Sequence, residues 1–226
     1  GHAIDEYNAF NLALTDWAKK PVKPTLNGEP GYEGIPEKFW ESSSNTRMTD
    51  YDCRKDAFRS LFAGTFGHTY GHSSIWQMLR EGDNPVAGAN PSIKWHDAIE
   101  APGSLQMGYV GKLMKSRSPY RQPDAQLLVE GLGSGAQHME ATLGFDYAMV
   151  YFPVGATKTI ALGKTSGTKV ACYWYNPRNG ENSRIGTFSN SGSREFSTPD
   201  EMDWILVIDD VNAKYPTPGT VDIWKK

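Results

Sequence analysis

The feature that most limits what this chain can fold into is a change of period near residue 120. Before Arg117 the apolar residues recur mostly at three- and four-residue steps. After Asp124 they alternate in short runs. A helix places every third or fourth residue on one face and a strand every second, so one chain carrying both patterns in succession reads as two architectures. The stretch between them, Arg-Ser-Pro-Tyr-Arg-Gln-Pro-Asp at 117–124, is punctuated by proline and reads as a linker.

Beyond it, the alternation predicts strands at Gln137–Leu143, Tyr147–Phe152, Lys158–Leu162, Lys169–Tyr175, Ser183–Phe188, Arg194–Ser197 and Trp204–Asp209. Clusters of Gly, Asn, Pro and Ser separate them, which is the pattern of an antiparallel β-sandwich. In Lys169–Tyr175, Val170, Cys172 and Trp174 share one face, and Ala171, Tyr173 and Tyr175 the other. Asn176-Pro177-Arg178-Asn179-Gly180 then makes a hairpin turn. Trp174, Tyr175 and Arg178 would suit a carbohydrate surface, but they also suit the centre and pinned turn of a small sandwich, which is the favoured reading.

The first 120 residues read as helix, strand, helix, strand, helix. Asp5–Lys19 carries Tyr7, Phe10, Leu14 and Trp17 at helical steps and ends before Pro21 and Pro24. Val22–Asn27 is a short strand. Trp40–Met48 is a polar loop. Thr49 or Asp50 caps a helix that runs to Ala63 and stops at Gly64, burying Ala57, Phe58, Leu61 and Phe62. Phe66–Ile75 is rich in Gly and β-formers and reads as a strand. Ser92–Ala101 is a short helix ending before Pro102-Gly103. Leu105–Ser116 is another, with Leu105, Tyr109, Leu113 and Met107, Val110, Met114 as its apolar rows. Two parallel strands joined by a crossover helix need cover on both faces and further strands beside them. The expectation is therefore the tail end of a larger α/β domain, whose earlier strands are not in this sequence.

The chemistry gathers around the first strand. Lys-Pro-Thr-Leu-Asn-Gly-Glu-Pro-Gly-Tyr-Glu at 23–33 ends an apolar run at a carboxylate, Glu29, and stiffens the chain behind it with Pro30 and Gly31. An α/β enzyme presents a carboxylate at the carboxyl end of its sheet in this way. An acidic surface turn would look the same. Glycoside hydrolysis needs two carboxyl groups flanking one bond. Glu29 sits at the rigid strand end, and Glu33, beyond the turn, reads as a sugar-contacting or orienting group beside Tyr32. The second acid would come from a different strand. His68, Tyr70 and His72 alternate along the second strand and form a polar, sugar-facing row, or else a buried His pair satisfied by backbone. Two His at that spacing mark a metal site on a helix rather than on a Gly-rich strand, so no metal and no cofactor is expected. Trp76 would floor a sugar subsite by stacking, or pack in the core. Arg54 reads as a structural ion-pair partner.

Composition removes several classes. A net charge of −3 gives no reason to expect nucleic acid or an anionic membrane. No apolar run approaches the ~20 residues of a membrane span, and the opening Gly-His-Ala-Ile-Asp-Glu is not a signal peptide. Cys53 and Cys172 read as free and buried.

With those residues in place, a resemblance follows. Residues 23–33, Arg54 with Phe-Ala-Gly-Thr-Phe-Gly-His-Thr-Tyr-Gly-His at 62–72, and Ile75-Trp76-Gln77 resemble the last third of the (β/α)8 domain of glycoside hydrolase family 140, the apiosidases acting on the pectin rhamnogalacturonan II. Residues 173–180 and Asp203-Trp204-Ile205-Leu206-Val207 resemble the module that follows it, which carries a collagen-binding label. Nothing in these residues points to a triple-helix groove. The resemblance implies that residues 1–120 are the C-terminal βα units of an incomplete TIM barrel and that residues 121–226 are a β-sandwich. It implies that Val22–Gly28 is barrel strand seven and Phe66–Ser74 strand eight. It further implies Glu29 as nucleophile, an acid/base on a strand four without counterpart here, an oligosaccharide or polysaccharide substrate, a missing N-terminal barrel portion or companion chain, and a periplasmic or secreted location. The rival expectations are a non-catalytic carbohydrate- or matrix-binding protein working through the sandwich and, more weakly, a metal-dependent hydrolase using His68 and His72.

Overall fold

A computed structural model describes residues 9–37, 46–86 and 93–225. These fall into two compact units, one within Gly1–Leu61 and Thr65–Gly108, the other comprising Phe62–Gly64 and Tyr109–Lys226.

In the first unit, helix α1 (Ala9–Ala18) buries Phe10 and Ala13 and half-buries Leu14 and Trp17, while Tyr7 lies outside the described residues. Strand β1 (Leu26–Asn27) pairs in parallel with β2 (Gly67–His68), Leu26 opposite Gly67 and Asn27 opposite His68. Helix α2 (Asp50–Phe62) connects them. Its start is fixed by Asp52, whose Oδ2 accepts from both the amide and the hydroxyl of Thr49, at 2.9 and 2.8 Å. Asp50 and Asp52 in the first turn and Arg59 in the last suit the helix dipole. Ala57, Phe58, Leu61 and Phe62 are all buried, and Gly64, at φ 103°, takes the left-handed turn that ends the run. Short α3 (Trp95–Ala98) and then α4 (Pro102–Lys115) follow.

Several expectations are corrected. The strand expected over 66–75 keeps only Gly67–His68, because the chain turns from Ser73 on, with Met78 at φ 51°. A single parallel bridge, Glu33 with His72, continues the pairing beyond it. The helix expected at 92–101 is α3 alone, and Ser92 lies outside the described residues, as does most of the polar loop. Pro102-Gly103, read as a stop, opens α4; proline is pre-set for a first helical position, where its missing N–H costs nothing. Leu105 is exposed, and Gln106 takes the buried position beside it.

The linker reading of 117–124 is also overturned. Arg121–Pro123 is strand β3, paired antiparallel with β4 (Glu140–Gly144). Arg117 is fully buried in a two-pronged ion pair with Asp209, Nε to Oδ1 at 2.8 Å and Nη2 to Oδ2 at 2.6 Å, with Tyr215 against its guanidinium.

The second unit then adds β5 (Tyr147–Phe152), β6 (Thr157–Ala161), β7 (Lys169–Tyr175), β8 (Asn182–Ser189), β9 (Ser193–Ser197) and β10 (Trp204–Asp210). One six-stranded sheet has the order β3-β4-β5-β10-β7-β8, and β6 pairs with β9 in a ribbon. Both contribute to one core, in which Val150, Phe152, Cys172, Trp174 and Leu206 from the sheet join Ile160 and Phe196 from the ribbon. Phe152 and Trp174 meet edge to face at 5.2 Å, a geometry worth about 1 kcal/mol beyond the area it buries. On the opposite face of β7, Tyr175 is buried and donates its hydroxyl to the Tyr109 carbonyl at 2.8 Å. The Asn176–Gly180 turn closes β7 on β8, with Arg178 over the Trp204 ring at 4.9 Å and bonded to the Asp203 carbonyl. Trp174, Tyr175 and Arg178 thus belong to the interior and its pinned corner. Both cysteines are free and buried.

Candidate active site

The site residues expected from the sequence lie in the first unit, where β1 stops. Asn27 is tied to α2 by its side-chain amide, which donates to Ser60 Oγ at 2.7 Å. Thr69, just past β2, donates its amide to the Asn27 carbonyl at 3.1 Å and its hydroxyl to the Gly28 carbonyl at 2.8 Å. Glu29 follows immediately and is exposed. The chain is pinned again two residues later. Gly31 donates its amide to Asp56 Oδ2 at 3.3 Å, and its carbonyl faces the Cys53 thiol at 3.7 Å. A Cβ on Gly31 would lie 2.0 Å from the end of the buried Met48 side chain, so a larger residue here would require that side chain to move. Burial pushes the Asp56 carboxyl up to about 6, against the opposing pull of the Gly31 amide, Lys55 and Arg59.

Glu33 is buried rather than open to solvent, with 8% of its surface exposed. Its amide donates to the Gly71 carbonyl at 2.9 Å, and its carbonyl accepts from the Ser73 amide at 2.8 Å. One carboxylate oxygen, Oε2, accepts both the Tyr70 hydroxyl at 2.6 Å and the Gly103 amide at 3.0 Å. Burial raises the pKa of this carboxyl and nearby Asp50 raises it further, while the two hydrogen bonds and Arg54 act the other way. The Tyr70 hydroxyl is pushed far up by its own burial and by Glu33. Tyr32 packs against Gly71, where a Cβ would come within 2.5 Å of its ring.

The two histidines differ in their surroundings. Burial draws His68 down to about 4, and its Nδ1 meets no hydrogen-bond partner among the described residues. His72 is buried, and its Nδ1 accepts the Ser74 amide at 3.0 Å, which leaves the proton of the neutral ring on Nε2. Among the described residues no three His, Cys, Asp or Glu side chains gather as a metal site would require. Trp76 is 48% exposed in the turn after His72, so it is not a core residue. Arg54 is buried and paired with Asp50 at 2.7 Å, and both bond Gln106 of α4.

Glu33, Tyr70 and Gly103 are therefore brought together, with Tyr32 and His72 packed on the same loop, whereas Glu29 and Trp76 stand at the surface. The sequence reading missed Gly103, Asp56 and Gln106. A Pro at a first helical position was the available signal for Gly103. For the other two, no local pattern points at the turn.

The sequence model of the apiosidase-like catalytic domain matches residues 1–121. This chain belongs to the apiosidase-like family. The part shared with other apiosidase-like catalytic domains holds the whole Glu29–Glu33 turn, β2 and Trp76. Residues 122–209 match the family described as "Putative collagen-binding domain of a collagenase". Among solved structures, a glycoside hydrolase is 34% identical with a TM-score of 0.86, covering 92% of this chain and 47% of its own. A glycoside hydrolase family 5 protein from Bacteroides vulgatus ATCC 8482 is 30% identical with a TM-score of 0.89, covering 98% of this chain and 51% of its own. This apiosidase-like chain thus spans about half the length of each. No functionally curated protein matches it. Among the described residues, no helix is long and apolar enough to cross a membrane.

Proposed function

We propose that this chain carries one wall of a glycoside hydrolase active site, with Glu29 as the nucleophile. The supporting observation is the place of Glu29: two positions past the end of a strand that pairs in parallel with its neighbour, in a segment pinned at Gly28 and Gly31, and open to solvent. Parallel αβ enzymes carry their chemistry at that edge. Glu29 would attack the anomeric carbon and displace the leaving group, and water would then release the sugar from the glycosyl-enzyme. The acid that protonates the leaving oxygen would come from outside this sequence, in the remaining barrel portion or a companion chain. Trp76 offers an exposed ring for stacking, and His68 offers a neutral imidazole edge, with Tyr32, Tyr70 and His72 shaping the wall between them.

In this reading, residues 1–120 are the last βα units of a (β/α)8 barrel and residues 121–226 form a β-sandwich. The substrate is a plant cell-wall polysaccharide, an apiosyl-bearing pectin such as rhamnogalacturonan II in the manner of family 140, met in the periplasm or outside the cell. The test is Glu29→Gln in the full-length protein. Turnover of apiosyl-bearing pectic oligosaccharides should be abolished while the circular dichroism spectrum is retained. Near-normal turnover would move the nucleophile elsewhere.

A further inference from the structure

We propose that Glu33 and Gly103 are positioning residues: the Glu33 carboxylate clamps Tyr70 and the start of α4, and so fixes the segment from which Glu29 projects. This rests on the glycosidase reading above. Of the two roles expected for Glu33, touching a sugar or orienting a neighbour, it takes the second and names what is oriented.

The argument begins with what the carboxylate is already doing. Glu33 is buried, and its Oε2 takes two donors, one from the loop after β2 and one from the first turn of α4. A helix start leaves backbone amides without intrahelical partners, and a carboxylate satisfies them at a favourable end of the dipole. Here the carboxylate comes from a residue 70 positions earlier in the chain, so the bond ties two distant segments together.

Gly103 makes the approach possible. A Cβ at this position would lie 2.3 Å from Glu33 Oε2 and 3.1 Å from the Tyr70 ring. The same helix turn is anchored independently, because Gln106 bonds Arg54 and Asp50 of α2. The helix therefore cannot slide away to accommodate a larger residue, and Glu33 must yield instead. Only three residues separate Glu33 from Glu29, and the Gly31 and Glu33 backbones are bonded to Asp56, Gly71 and Ser73. A displacement at Glu33 is carried along this short pinned path. Misplacement of a reacting group by about 1 Å can cost on the order of 100-fold in rate.

The diagnostic is that Gly103→Ala should have the opposite sign from its helix propensity. Within a helix Ala is normally the better residue. Gly108, in the same helix with nothing within 4 Å of its virtual Cβ, supplies the control. In the full-length protein, kcat and KM are measured for Gly103→Ala, Tyr70→Phe and Gly108→Ala. The Glu33 carboxyl is followed in parallel by carbon NMR of glutamate-labelled protein across pH. Expected are a fall in kcat of about tenfold or more for Gly103→Ala and Tyr70→Phe with KM changed less than about twofold, a displaced Glu33 resonance in both, and neither effect in Gly108→Ala. The proposal is overturned if Gly103→Ala behaves like Gly108→Ala, or if KM rises while kcat holds, which would make Glu33 a sugar ligand. Should the unaltered protein turn over no glycan, a displaced Glu33 resonance would still establish the clamp, and the glycosidase reading alone would fall.

Discussion

Replacing Asp56 by Asn tests how the turn under Glu29 is held. Asp56 lies beneath Gly31 and accepts its amide, at the cost of burying a charge. Burial raises its carboxyl from 3.8 to about 6. A carboxyl whose folded pKa is raised contributes stability that is complete below the unfolded value and is lost as pH climbs through the folded one. The shift corresponds to about 3 kcal/mol in all, of which about 2 kcal/mol falls between pH 4.5 and pH 7. His68 has the reverse slope. Its burial lowers it from 6.5 to about 4, so its contribution is present above 6.5 and lost on acidification towards 4. The two windows overlap and largely cancel, and a pH profile of the unaltered protein hides both. The difference between Asp56→Asn and the unaltered protein isolates the one, since His68 is common to both. Asn keeps an acceptor for Gly31, so the hydrogen bond itself is not what changes. Urea unfolding from pH 4.5 to pH 7 should show the variant gaining about 2 kcal/mol relative to the parent as pH rises. A difference flat with pH would mean that Asp56 is ionised at no cost, and the account of the buried turn would be wrong.

Other parts of the molecule carry separate expectations. Arg117→Met strands the Asp209 carboxylate in the interior and should cost about 3–5 kcal/mol by urea unfolding; adding Asp209→Leu should return most of it, because an apolar pair replaces a desolvated one. Gly219→Ala meets both a φ of 75° and the Tyr175 ring at 2.8 Å, and should lower stability by about 1–3 kcal/mol by the same measurement. Trp76→Ala should lower stability by no more than about 2 kcal/mol, since only about half of the residue is buried. If it is a stacking floor, KM should rise about fivefold, the equivalent of about 1 kcal/mol.

What could be read from the sequence follows the range of the forces involved. Strands β5 and β7 were legible to the residue, because each is a run whose own alternation or apolar content leaves no other buried arrangement. Strand β3 was not, since Pro119 and Pro123 punctuate it like a linker and only the partner strand β4 shows it to be extended. Arg117 looked like a solvated linker residue until Asp209, 92 positions away, supplied its counter-charge. The site divides the same way. Glu29 follows a strand and precedes a Pro-Gly turn, and both signals are local, so its place at the strand end was open to inspection. The seat of Glu33 is built from Tyr70 and Gly103, 37 and 70 residues further on, and a glycine announces nothing about which side chain will fill the space it leaves. Hence a sequence can point to the carboxylate proposed to react while leaving open what the second carboxylate holds. The first needs only exposure at a strand end. The second needs donors delivered by elements that meet it only after folding, and losing either one leaves a buried acceptor short of its partner.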